Sequence, residues 1–219
     1  MRNKRFFTKK KKRVFDIVGK HIKQNIREYT IAVFIFFIGI FIGTMLVNSS
    51  SSENKSDIMG YINNFIVSIK NGDYVIDGKK VLAKSLVSNV KLAVLFWVSG
   101  LLVIGIPIIY VVMGYKGVCI GYSISAIIAT LGREKGIIFS LSTMLLPSII
   151  AIPCYMALMV SSIKMFKSVT TNRSKENLKI EITRHTLFSL IMTIGLIFAS
   201  FVEYFFTTSI FSDIIIKFV

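Results

Sequence analysis

Tyr29–Val47 runs for nineteen residues without an Asp, Glu, Lys or Arg. About 20 apolar residues at 1.5 Å rise span a hydrocarbon layer of ~30 Å. Lipid offers no partner to a backbone N–H or C=O, so a stretch buried in it closes its own hydrogen bonds as a helix. The chain carries several such runs in 219 residues, with 53% hydrophobic and 17% charged residues. The apolar residues come in blocks rather than at amphipathic spacing, which excludes an ordinary soluble helical domain. The expected fold is all-α: a polytopic membrane bundle of about five transmembrane helices.

The blocks divide the chain. Residues 1–28 form a basic cytoplasmic segment and 29–47 span one. Residues 48–89 are a polar outer segment, and 90–219 hold four further spans. Span two is placed from about Lys91 to Met113. Gly114-Tyr-Lys116-Gly117 reads as a tight connection to a short span three, Val118–Leu131. Gly132-Arg-Glu-Lys-Gly136 is a charged turn, and Ile137–Ile163 is a long span four. Residues 164–185 are a polar loop, and Thr186–Thr208 is span five. Val47-Asn48-Ser49 is also a passable cleavage site, although the run before it exceeds the ~7–15 apolar residues of a signal peptide.

Eleven Lys or Arg precede span one, against Asp16 and Glu28. That bias puts the N-terminus in the cytoplasm and, with five spans, the C-terminus outside. The 164–185 loop, with six basic residues up to Arg184 against two acids, then also falls in the cytoplasm. Val14, Val18, Ile22 and Ile26 recur at helical spacing between basic residues, a pattern that binds an anionic lipid surface. The net charge of +16 is therefore read as topology, not as a nucleic-acid footprint.

In the outer segment Ile58, Tyr61, Ile62, Phe65, Ile66 and Ile69 share one helical face. Ser56 or Asp57 is placed to cap that helix and Asn71-Gly72 to stop it. The stripe Ile58, Tyr61, Ile62, Phe65 and Ile66 is read as a partner-binding face or as a face lying on the outer leaflet. Small residues at every fourth position mark helix-packing grooves. These are Gly39 and Gly43 in span one, Gly117, Gly121, Ser125 and Ala129 in span three, and Gly195 and Ala199 in span five. The same grooves would suit an oligomer face. Pro147 and Pro153 are expected to kink or unwind span four. Glu203 is the one acid inside a span; a packing role, or pairing with Lys91, is favoured over a proton relay, which would need a second ionisable group at depth.

No catalytic constellation, cofactor motif or metal-ligand spacing is present. Cys119 and Cys154 both fall in apolar runs. His21 and His185 stand far apart without ligand partners and read as surface histidines.

Asn89 before span two, Gly100 and Gly105 within it, and Gly117-Val-Cys-Ile-Gly121 opening span three resemble the stage II sporulation protein M family. Gly39 and Gly43, the five-span plan and the basic N-terminus fit the same family. Broad members carry Leu-Pro-His-Gly…Glu-x-Pro-Ala in span four. Here Leu146-Pro147-Ser148-Ile149-Ile150-Ala151-Ile152-Pro153 keeps both prolines, but Ser148 and Ala151 replace the ionisable pair. The resemblance implies a non-enzymatic scaffold, without cofactors, on the mother-cell side of the sporulation septum. Its partners would be a lytic transglycosylase (stage II sporulation protein D) and an amidase/endopeptidase (stage II sporulation protein P), acting in septal wall thinning and engulfment. A transporter or permease subunit is the alternative that the prolines and small-residue grooves support.

Overall fold

A computed structural model describes residues 22–74, 76–102, 104–171 and 175–209. The densest part of the basic N-terminal segment, with His21, lies outside the described residues. Among the described residues, seven α-helices with both ends described follow in order: α1 (Ile26–Asn48), α2 (Ser52–Lys70), α3 (Gly78–Leu101), α4 (Gly105–Leu131), α5 (Arg133–Ser140), α6 (Leu146–Thr171) and α7 (Lys175–Ser209). One π-helical turn, Leu141–Leu145, joins α5 to α6. Five of the helices, α1, α3, α4, α6 and α7, are long and apolar enough to cross a membrane.

Span four runs from Pro147 to Thr170 rather than from Ile137 to Ile163, because Arg133–Ser140, where a charged turn is expected, forms a separate helix. The helix boundaries depart from the sequence reading in three further places. The apolar run from Lys91 to Met113 is not one span. It breaks at 102–104, so α3 ends at Leu101 and α4 begins at Gly105. Pro107 sits in the first turn of α4, where a missing N–H costs nothing. Gly105 makes the reversal possible, because a side chain there would overlap the Ser99 carbonyl. Consequently span three is not short, and Gly114-Tyr-Lys116-Gly117 is mid-helix rather than a connection. The 164–185 segment is likewise no loop: α6 runs on to Thr171 and α7 starts at Lys175.

The third departure is in residues 48–89. Ser51, not Ser56 or Asp57, caps α2, its hydroxyl accepting from Asn54 N at 3.3 Å. Gly72, with φ of 79°, ends that helix in a conformation glycine adopts freely. Asp77 caps α3 by accepting the Lys79 and Lys80 amides at 3.1 and 3.3 Å. The Lys80 backbone amide, with its side chain, holds the Asp77 carboxyl below its ordinary range.

Neighbours fix the directions of the helices. Phe36 and Gly39 meet Gly117, and Gly43 meets Val118 and Tyr122, so α1 and α4 run parallel. Gly78 at the start of α3 meets Tyr204 and Thr208 near the end of α7, so those two are antiparallel. Lys167 near the end of α6 bonds Glu28 near the start of α1 at 2.7 Å. The described chain therefore alternates direction span by span, and Ile26 and Ser209 stand at opposite ends of the bundle.

The main core joins Ala32 and Phe36 of α1, Phe96 of α3, Ile109 and Met113 of α4, Leu158 and Met159 of α6 and Leu196 of α7. Helix α6 runs through its middle, fully burying Leu158, Met159 and Val160. Phe34, Phe37, Phe41, Leu190, Ile194 and Phe198 stay exposed on the outside of α1 and α7, as lipid-facing residues do. A second cluster packs Ile66 and Ile69 of α2, with Ile62, against Phe139, Ile127 and Leu131. It anchors α2 across the end of α4.

Candidate functional site

Two seams meet inside the bundle. The first, α1 against α4, is dry and close. A methyl added at Gly39 would stand 3.1 Å from Gly117 Cα, and one at Gly121 would stand 2.8 Å from Ile40 Cα. Both obstacles are backbone, so only glycine lets the helices approach this far. Further along the same row Ser125 is half-buried and Ala129 exposed. On α7, a methyl at Gly195 would meet the Cys154 thiol at 2.9 Å, and Ala199 is buried.

The second seam, among α3, α6 and α7, is polar. Asn89 is buried, and its amide donates to Ser200 Oγ at 2.8 Å and to the Leu196 carbonyl at 3.3 Å. Its own carbonyl accepts the Tyr155 hydroxyl. Ser85 donates to the Glu203 carboxylate at 2.5 Å. Lys91, the pairing expected for Glu203, is exposed instead. Toward the other end His185 is buried: its Nε2 faces the Trp97 carbonyl at 3.2 Å and its Nδ1 meets Ser161 Oγ at 2.8 Å. The surface reading of His185 is thus wrong. A carbonyl only accepts, so Nε2 carries the proton. Trp97 Nε1 donates to Thr186 Oγ1 at 3.1 Å beside it. Gly100 leaves the space, since a methyl there would lie 3.0 Å from His185 Nε2 and from Ser162 Cα.

Where the seams join, a cavity of about 230 Å³ opens among α4, α6 and α7. Lys116, Asn89, Tyr155, Ser148, Thr143 and Glu203 supply its polar lining. The Lys116 ammonium stands 5.1 Å from the centre of the Tyr155 ring, within cation–π range. Because Lys116 lies mid-helix, the ionisable group that the sequence reading found missing at depth is present. Placing a lysine near the bilayer centre costs about 2.5–3.5 kcal/mol on insertion scales.

The π-helical turn and Pro147 build the opposite wall. Thr143 and Ser148 return their hydroxyls to the Phe139 and Met144 carbonyls at 2.7 and 2.6 Å. A π turn widens the helix and frees backbone groups, which such hydroxyls satisfy. Pro147 therefore follows a widened turn, while the helix continues through Pro153. Ser148 and Ala151, which replace the family's ionisable pair, both face this cavity.

The outer stripe divides. Ile62 and Ile66 pack inward, Phe65 meets Tyr74 edge to face at 5.6 Å, and Tyr61 is 78% exposed. Ile58 and Tyr61 line an open groove between α2 and Tyr122 on α4. Among the described residues no group of three His, Cys, Asp or Glu side chains could hold a metal ion.

No curated protein and no solved structure matches the chain. The model of one family, described as stage II sporulation protein M, matches residues 32–208. That range includes α3, α4 and α6 whole, α1 from Ala32 and α7 as far as Thr208, with the residues that build both seams and the cavity. It is a sporulation-associated family of membrane proteins with no known enzymatic activity. The chain belongs to the stage II sporulation protein M family.

Proposed function

We propose that the protein is a non-enzymatic membrane scaffold for septal wall hydrolases during engulfment, acting on the mother-cell side of the sporulation septum. Family membership along the whole bundle is the observation that carries this reading. The fixed position of α2 supports it: Ile66 and Ile69 hold the helix on the bundle, while Tyr61 and the groove beside Ile58 face outward. A helix held in place loses little conformational entropy on docking, which favours a recognition surface. The partners proposed are the lytic transglycosylase and the amidase/endopeptidase named above. The basic N-terminal segment would sit on anionic lipid in the cytoplasmic leaflet.

The test is affinity purification of the tagged protein from membranes at polar septation, read by mass spectrometry. Both hydrolases should be recovered, and Tyr61→Asp should deplete them while the bundle stays intact. Full recovery with Tyr61→Asp would remove α2 from the docking face; absence of both hydrolases from the wild-type sample would refute the scaffold. The second reading, a transporter subunit, is favoured by the cavity holding Lys116 and Glu203. Recovery of an ATPase in place of the wall enzymes would select it.

A further inference from the structure

Lys116 and Glu203 both line the central cavity, yet neither belongs to an ion pair within 4.0 Å among the described residues. Glu203 has the Ser85 hydroxyl, and Lys116 has the face of the Tyr155 ring. Both side chains are half-buried, and each contact compensates only part of a full charge. The remaining polar groups are mostly committed: Tyr155 donates to Asn89, and Ser148 and Thr143 donate to their own helix. The unmatched capacity of the site is thus one cation on α4 and one anion on α7, separated by empty volume.

That arrangement selects its own ligand. A simple anion would gain Lys116 and be repelled by Glu203; a simple cation would meet the reverse. A molecule with both charges can lay its anionic group at Lys116 and its ammonium at Glu203 and compensate both. The volume of about 230 Å³ equals about eight waters at ~30 Å³ each, room for a small molecule or headgroup and little more. We propose that the cavity is a binding site for a small zwitterion carrying one carboxylate or phosphate and one ammonium group. A free amino acid and a phosphatidylethanolamine headgroup share this chemistry.

The test uses the full chain in nanodiscs. Glycine and phosphoethanolamine are tested as soluble probes by equilibrium dialysis in phosphatidylglycerol discs. Retained lipid is read by native mass spectrometry after reconstitution in an equal mixture of phosphatidylethanolamine and phosphatidylglycerol. One zwitterion should bind at one per chain. Binding of the soluble probes identifies a free molecule; retention of phosphatidylethanolamine alone identifies the headgroup. Lys116→Met should weaken binding at least tenfold. Glu203→Gln keeps an acceptor for Ser85, so it leaves the fold intact, and it should abolish the preference for zwitterion over phosphatidylglycerol. Lys91→Met, on the exposed face of α3, should change nothing. The proposal fails if none of the three molecules binds at one per chain, if neither soluble probe binds and phosphatidylglycerol is retained as tightly as phosphatidylethanolamine by the wild type, or if Glu203→Gln leaves the affinity for whichever zwitterion binds within twofold. Should Lys116→Met not fold, the Glu203→Gln result decides alone.

Discussion

Gly117→Ala should destabilise the bundle although it adds a single methyl. The new carbon would overlap the Phe36 carbonyl oxygen and stand 3.1 Å from both Gly39 Cα and Ile40 N. Carbon pairs rest at about 3.5–4.0 Å, so α1 and α4 must part by about 0.5–1 Å. A gap of that size forfeits a quarter to a half of each contact of about 0.1–0.2 kcal/mol. With the ~40–60 contacts typical of one buried Leu, the seam loses about 2–3 kcal/mol. Replacing glycine in a helix returns about 0.5–1 kcal/mol, leaving a net loss of about 1–2 kcal/mol, or about tenfold in the folding equilibrium. One turn earlier the sign reverses. A methyl at Gly114 meets only Ile35 Cγ2, at 3.6 Å, an ordinary contact, so Gly114→Ala should be neutral or stabilising. The assay is unfolding of the full chain in mixed micelles with increasing sodium dodecyl sulfate. It can be followed by the fluorescence of Trp97, the one tryptophan, which bonds across α3 and α7. If Gly117→Ala and Gly114→Ala move the midpoint in the same direction, backbone contact is not what the glycine provides.

Three further outcomes are expected. Asn89→Ala strands the Tyr155 hydroxyl and the Ser200 pairing and should cost about 1–3 kcal/mol in the same titration, whereas Tyr155→Phe should cost less, about 0.6 kcal/mol; equal losses would show that the amide is not the hub. Asp77 has a depressed carboxyl, so its support of the α3 N-terminus is complete above the ordinary value of 3.8 and is lost as pH falls below it. Hydrogen-exchange protection at Lys79 and Lys80 should drop below that value in the wild type, and Asp77→Asn should flatten the dependence. Finally, in a background lacking Cys119 and Cys154, Lys79→Cys should react with an impermeant maleimide on intact cells, and Lys164→Cys only after lysis. Reaction of both on intact cells would contradict the alternation of the spans.

The number of spans was legible because membrane-length runs of predominantly apolar residues stand out from composition alone. The α2 face was legible because Ile62, Ile66 and Ile69 share one period. The break between α3 and α4 was not, since Leu101, Leu102 and Ile104 are as apolar as the helices they separate. The signal was present in Gly105 and Pro107, a reversal followed by a first-turn proline. Lys116 was misplaced for the complementary reason: glycine and lysine beside each other read as a turn, yet within a bundle the glycine serves close packing and the lysine faces a cavity. The Asn89–Tyr155–Ser200 and His185–Ser161–Trp97 groups could not have been read at all. Their members lie on different helices, and no spacing rule joins them.

The position of the site follows from the unlike character of the two seams. Along α1 and α4 the backbones touch, and no charged side chain could enter without prising them apart. Around α3, α6 and α7 hydroxyls and an amide hold the helices, and such groups can accept a polar guest. Successive residues on a helix point about 100° apart. Gly117 therefore faces the dry seam while its neighbour Lys116 turns toward α6 and the cavity. The same turn of α4 closes one seam and charges the other. A substitution at Gly117 that separates α1 from α4 should thus also shift Lys116, so the stability of the dry seam and ligand binding in the cavity should fall together. Independence of the two would mean that α4 moves as less than a rigid rod.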